Sequence, residues 1–167
     1  MTAGTTAQRA ALFTTPDLEL FRTYLKSGFP GPHAYAVLLG IRSFDLRHLM
    51  KMIERGLPHS AYERLRRNVP LGASELADLV QLAPRTLTRR RQEGRLASDE
   101  SDRLLRATRI MARAIALFDG DPAAAVGWLT SEQPALGGVQ PSHAARTELG
   151  VREVENLIER LEQGVYS

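Results

Sequence analysis

Apolar residues recur along this chain at three- and four-residue steps, the spacing that lines one face of an α-helix, and no stretch shows the sustained alternation of a strand. The pattern predicts helices over about residues 17–26 and 33–39, parted by the break Gly28-Phe29-Pro30-Gly31-Pro32. Ser43 is placed to cap a helix over 44–55, with Leu46, Leu49, Met50 and Ile53 as its apolar positions and Gly56 as its stop. Pro58 opens a helix to about residue 68, with Tyr62 and Leu65 inward. After Pro70 and Gly72, Ser74 caps a helix whose apolar side is Leu76, Ala77, Leu79 and Val80 and whose first turn holds Glu75. Pro84 suits a first helical position and opens a helix that ends at Gly94.

Ser98 then caps the longest helix, over 99–118, which spans about 30 Å. It has two apolar stripes, one of Leu104, Ala107, Met111, Ile115 and Phe118, the other of Ile110, Ala114 and Leu117. A helix apolar on two sides is buried between layers, so this one bridges two modules. Pro122 opens a helix to about 129, Gly137-Gly138 make a turn, and Pro141 starts a short helix that stops at Gly150. The last helix, 151–163, has the core face Val151, Val154, Leu157, Ile158 and Leu161 and ends at Gly164. Residues 1–15 are small, polar and without period, and are expected to be disordered. The fold class is all-α, with no internal repeat.

Charge divides the chain more sharply than its net +3 indicates. Residues 1–59 carry +3, residues 60–113 carry +5 and residues 114–167 carry −5. A basic middle suits an anionic partner such as DNA, and the acidic last third suits something else. The alternative is that both patches serve solvation alone. With aromatics at 6%, the core must be built from aliphatic side chains. Cysteine is absent, which excludes thiol chemistry and fits a reducing cytoplasm. No run reaches the roughly 20 apolar residues of a membrane span, and the first residues lack a secretory pattern. A cytoplasmic location is expected.

The clearest chemistry lies in SELADLVQLAPRTLTRRRQEG, residues 74–94: two short helices about a tight turn, with small Ala77 at the crossing and Leu82 and Leu87 as anchors. With Leu87 inward, Arg85, Thr88, Arg89 and Gln92 face outward, flanked by Thr86 and Arg90. Arginine neutralises phosphate or grips guanine, glutamine pairs with adenine, and threonine bonds phosphate or meets a thymine methyl. Helix-turn-helix spacing alone is weakly specific, and a solvated basic helix is the alternative reading; three consecutive arginines, 89–91, favour DNA. Arg91, four residues from Leu87, has a stem that can cover the core.

Other constellations point to no catalysis. His33, His48, His59 and His143 are scattered without the spacing of a metal site. Asp119 and Asp121 flank Gly120 at a helix break and read as turn and cap groups. Ser142-His143 beside Glu148 has no oxyanion site, and Gly137-Gly138 precedes no phosphate-loop lysine. No enzyme activity, metal or cofactor is expected. Trp128, the only tryptophan, is either a core anchor against the long helix or an interface anchor.

Three blocks carry a resemblance: SELADLVQLAPRTLTRRRQEGRL (74–96), DESDRLLRATRIMARAIALFDGDPAAAVGWL (99–129) and PALGGVQPSHAARTELGVREVENLIERLEQGVYS (134–167). With Trp128-Leu129, Leu136-Gly137-Gly138, Pro141, Thr147, Gly150, Val154, Leu157 and Gly164 in register, the chain from Leu71 onward resembles the Xre/MbcA/ParS antitoxins, partners of RES-domain toxins. Residues 33–70 resemble that family's more variable leading helices, and residues 1–32 match nothing.

The resemblance implies an Xre-like helix-turn-helix domain joined by a long helix to a small helical toxin-binding domain. The corresponding division is a variable or partly disordered extension over 1–32, a DNA-binding domain over 33–113 and a toxin-binding domain over 114–167. It further implies a RES-type toxin that depletes NAD, promoter DNA as a second partner, homodimers, and larger complexes with toxin. The toxin-facing end would be Gly164, Val165, Tyr166 and Ser167 with the preceding helix, joined by Trp128 if that residue is an interface anchor. Without the resemblance, a tail ending Val-Tyr-Ser would be read as disordered. The competing function is a free-standing helix-turn-helix transcriptional regulator with no toxin partner.

Overall fold

The computed structural model describes residues 13–164, and over these the chain is all-α. Its elements are α1 (Pro16–Ser27), a 3-10 turn η1 (Ala34–Leu39), α2 (Leu46–Arg55), α3 (His59–Asn68), α4 (Ala73–Val80), α5 (Pro84–Glu93), α6 (Ser98–Leu117), α7 (Pro122–Leu129), a 3-10 turn η2 (Pro134–Leu136), α8 (Pro141–Ala144) and α9 (Glu148–Glu162). The two apolar stripes of α6 do what the pattern implies. Against this helix pack η1, α2 and α4 from the first half of the chain and α7 and α9 from the second. Leu104, Ile110, Met111, Ala114 and Ile115 are fully enclosed, each large side chain contributing about 1.5–3 kcal/mol by leaving water.

The segment before residue 33 is part of the body from Pro16 onward. Thr15 caps α1 by accepting from the Leu18 N–H at 3.1 Å, and Leu18 and Phe21 sit in the core. Asp17, also buried, accepts from Arg42 Nη2 at 2.7 Å and from Asn68 Nδ2 at 2.9 Å, while Asn68 Nδ2 also donates to the Leu38 carbonyl at 2.7 Å. This polar knot joins α1, η1 and α3 across some fifty residues of sequence.

Three helices, α2, α4 and α6, are capped by residues other than those expected. At α2 the cap is Asp45, which accepts from the His48 N–H at 3.0 Å; Ser43 and Phe44 lie outside the helix. Ser74 and Ser98 fall within the first turns of α4 and α6, where a glutamate two residues into each helix reaches back instead. Glu75 accepts from the Gly72 N–H at 3.1 Å and Glu100 from the Ala97 N–H at 2.7 Å, the reverse half of a capping box.

Leu46 and Met50, expected inward with Leu49, are 55% and 51% exposed. Helix α2 meets the body along a narrow stripe through Leu49, Met52 and Ile53, and the other two residues lie to one side of it. The helix expected to run from Pro141 to Gly150 stops at Ala144, and α9 starts three residues early, capped by Thr147 on the Gly150 N–H at 3.0 Å. Gly150 is therefore no stop. A Cβ there would lie 1.8 Å from the Ala144 carbonyl oxygen, so the closeness of α8 to the first turn of α9 requires glycine.

Candidate nucleic-acid and partner-binding faces

Helices α4 and α5 form the helix-turn-helix. Ala77 is buried at the crossing and Leu82 is buried under the turn. Gln81 turns the chain in the left-handed region, at φ 56°, and the Leu82 N–H returns to the Ala77 carbonyl at 2.9 Å. From α6, Arg103 closes the end of α4, its Nε donating to the Val80 carbonyl at 3.0 Å. The links on either side of the unit are also joined. The Leu96 N–H donates to the Leu57 carbonyl at 2.8 Å, the His59 N–H to the Gly94 carbonyl at 3.0 Å and the Leu57 N–H to the Ser101 hydroxyl oxygen at 2.7 Å. Gly56, at φ +84°, passes so near this pairing that a Cβ would lie 1.9 Å from the Leu96 carbonyl oxygen.

Helix α5 rests on this frame without one fully buried residue, with Leu87 half-buried as its anchor. Arg85, Thr88, Arg89 and Gln92 are exposed on it, as their spacing predicts, and Thr86 is half-buried. Among the described residues, Arg85 and Arg91 take part in no ion pair, and Arg89 has only a loose one, 3.9 Å from Glu93. Arg91, whose stem can cover the core, is exposed and lines a cleft of about 460 Å³ together with Tyr62, Ala77 and Leu87. Arg90 stands apart. Its guanidinium meets Glu100 and Glu93 at 2.6–3.0 Å. Burial raises the Glu100 carboxyl, but hydrogen bonds from Arg90 and Ala97 and the charge of Arg90 outweigh it and hold the group below the usual carboxylate range. The hydrogen bonds to Glu100, foremost, and to Glu93 raise the Arg90 guanidinium above its ordinary value, so the pair is charged near neutral pH.

The exposed set is thus two to three cations, an amide and a hydroxyl on one projecting helix, suited to phosphates and base edges. Thr88 spends its hydroxyl proton on the Pro84 carbonyl, 3.1 Å away.

Residues 48–109 match the family model described as the antitoxin Xre-like helix-turn-helix domain, and residues 113–164 match that of the antitoxin Xre/MbcA/ParS C-terminal toxin-binding domain. The chain is 32% identical over 130 residues to an antitoxin Xre of Photorhabdus laumondii subsp. laumondii, covering 77% of this chain and 88% of that protein. It belongs to the Xre antitoxin family. An antitoxin Xre of Yersinia enterocolitica serotype O:8 is 34% identical over 120 residues, 71% of this chain and 81% of that one. A third, from Pseudomonas putida, is 35% identical over 69 residues, 41% of this chain and 43% of that one.

In this antitoxin the two matched units share α6. One flank of that helix is stitched to α9 by Arg106–Glu148 at 2.8 Å, Arg109–Glu155 at 2.6 Å and Arg113–Glu162 at 3.6 Å. Asp121 caps α7, accepting from the N–H groups of Ala123 and Ala124 at 3.0 and 3.2 Å, and Asp119 turns the chain at φ 53°, the turn and cap roles expected of them. Trp128 is half-buried, its ring 6.5 Å from that of Phe118, so it packs on the core and still shows a surface. Val151, Val154, Leu157 and Ile158 bury the inner face of α9. Gly164 has φ +73°; Val165, Tyr166 and Ser167 lie outside the described residues.

Leu149 is 72% exposed in the first turn of α9, a position that stays hidden while Pro141–Gly150 is read as one helix. Its position two residues before Val151 puts it off the buried stripe. Among the described residues no helix is long and apolar enough to cross a membrane.

Proposed function

We propose that this antitoxin neutralises a cognate RES-type toxin that depletes NAD, closing the toxin's active site with the segment after α9, and represses its own operon by binding promoter DNA through α5. The observation that carries this reading is the order of the two family matches, a helix-turn-helix over 48–109 followed by a toxin-binding domain over 113–164. In this reading residues 33–113 serve DNA, residues 114–167 serve the toxin, and the chain acts in the cytoplasm by binding rather than catalysis. It works as a homodimer and, with toxin, as a larger complex.

Arg85, Thr88, Arg89 and Gln92 are the proposed DNA contacts, supported by their exposure on one helix, with Thr86 at the margin. On the toxin side, Trp128 and Leu149 supply apolar anchors and the −5 charge of residues 114–167 favours a basic partner surface. Tyr166, with Gly164, Val165 and Ser167, is the plug: a flat ring with a polar tip fills a pocket shaped for a dinucleotide. The segment follows directly on a helix whose inner face is buried from Val151 to Ile158 and whose expected core residue Leu161 is half-buried, so the body provides the affinity and the segment the obstruction.

The test is NAD content and growth in cells expressing the toxin with each antitoxin variant at equal abundance. Deletion of residues 165–167 is expected to leave complex formation intact and protection weakened, Tyr166→Ala to show part of that loss, and Leu149→Asp to weaken the complex itself. Full protection by the truncated chain would move inhibition to the domain surface.

A further inference from the structure

The arginines of α5 are divided by their partners. Arg90 Nε donates to Glu100 Oε2 at 2.8 Å, Nη2 to Glu100 Oε1 at 3.0 Å and Nη1 to Glu93 Oε2 at 2.6 Å. Glu100 is 6% exposed, and its Oε2 also accepts the Ala97 N–H that opens α6. One buried carboxylate therefore ties the last turn of α5 to the first turn of α6, across the link where Gly94 ends α5 with its N–H on the Arg90 carbonyl at 2.8 Å. We propose that Arg90 and Glu100 are positioning residues that set the angle of α5 against the body, and that Arg90 does not itself touch nucleic acid. The role assigned here rests on reading α5 as the DNA-binding helix; the clamp does not.

The physical grounds are three. Turning Arg90 outward to a phosphate would strand Glu100 as a buried, uncompensated charge, the expensive outcome for a broken ion pair. Both edges of the guanidinium fork are occupied, one by each glutamate, so no bidentate face is left for guanine. Helix α5 has no fully buried residue, and with Leu87 near its middle as the apolar anchor, its last turn needs another hold. Neighbouring Arg89, 59% exposed, has no such duty.

Anisotropy titrations of an operon-promoter duplex over a range of salt, with amide exchange of α5, test the assignment in the full chain. Glu100→Gln is the decisive variant. By charge alone, removing an acid near DNA should strengthen binding; as the pivot of the clamp, its loss should weaken binding about tenfold, the order expected for a charged hydrogen-bonded pair. Arg90→Ala is expected to weaken binding similarly without changing the slope of log affinity against log salt, whereas losing a phosphate contact lowers that slope by about 0.9. Exchange of the α5 amides should quicken in both variants. If Arg90→Ala does not fold, Arg90→Lys, which keeps the charge and loses the fork, should show the same weakening and quickened exchange at unchanged slope. A slope reduced by about 0.9, or a Glu100→Gln chain that binds as tightly as the parent with unchanged α5 exchange, overturns the proposal. Should the parent not bind the promoter at low salt, the DNA reading fails by itself, and α5 exchange in the two variants still decides whether the clamp exists.

Discussion

The side-chain amide of Gln81 donates to the main-chain carbonyl of Arg146, so the turn of the helix-turn-helix touches the loop that leads into α9. Arg106 and Glu148, 2.8 Å apart, lie beside the same junction, and α6 runs through both units. The two halves should therefore unfold together. Trp128 fluorescence, which reports the second half, and far-UV circular dichroism, which reports all helices, are expected to give one midpoint. Gln81→Ala should lower stability by about 0.5–1.5 kcal/mol. Two separate midpoints would show that the junction does not couple the units.

Arg85 is exposed and without an ion pair among the described residues, so its charge is available to DNA. Arg85→Ala is expected to lower the salt slope of promoter binding by about 0.9 if Arg85 meets phosphate, weakening all sequences alike. Gln92→Ala should instead relax discrimination at one base position by about 1–3 kcal/mol. Anisotropy on the promoter and on a scrambled duplex separates the two. If both variants bind like the parent, α5 is not the recognition element.

Leu46 and Met50, one helical turn apart on α2, leave adjacent apolar surface in water. That face is expected to pair with a second copy. Sedimentation at micromolar concentration should show the parent as at least a dimer, and Leu46→Asp with Met50→Asp as a monomer of unchanged helicity. A monomeric parent removes this part of the assembly.

Asp17 gives the fold an acid limit. Burial raises its carboxyl, but the hydrogen bonds from Asn68 and Arg42 and the charges of Arg64 and Arg42 outweigh burial and hold it below the ordinary value. A carboxyl depressed in the folded state stabilises that state fully above its unfolded value of about 4, and the contribution is lost as pH falls through the lower folded value. Asp17→Asn should cost about 1–3 kcal/mol near pH 7. The gap in melting temperature between parent and variant should narrow as pH drops below about 4. A gap that stays constant to low pH would show that the Asp17 charge does not matter.

What this sequence determined by itself is everything encoded within a few residues. The two stripes of α6, the proline that opens α5, the turn between Ala77 and Leu87, and the outward row Arg85, Thr88, Arg89 and Gln92 all follow from helical periodicity, which needs no tertiary partner. The blocks from Leu71 onward sufficed for the family. Tertiary structure decided which members of a local pattern are free and which are engaged. Arg89 and Arg90 are adjacent and chemically identical, yet Arg90 is held by a carboxylate ten positions further along the chain. Asp17 finds Asn68 fifty-one positions away, which makes α1 part of the core. Leu46 and Leu49 share one helical pattern, but only Leu49 lies where α2 meets the body. In each case the deciding energy is an ion pair, a hydrogen bond or a buried surface between segments far apart in sequence, and such a term exists only once packing has brought them together.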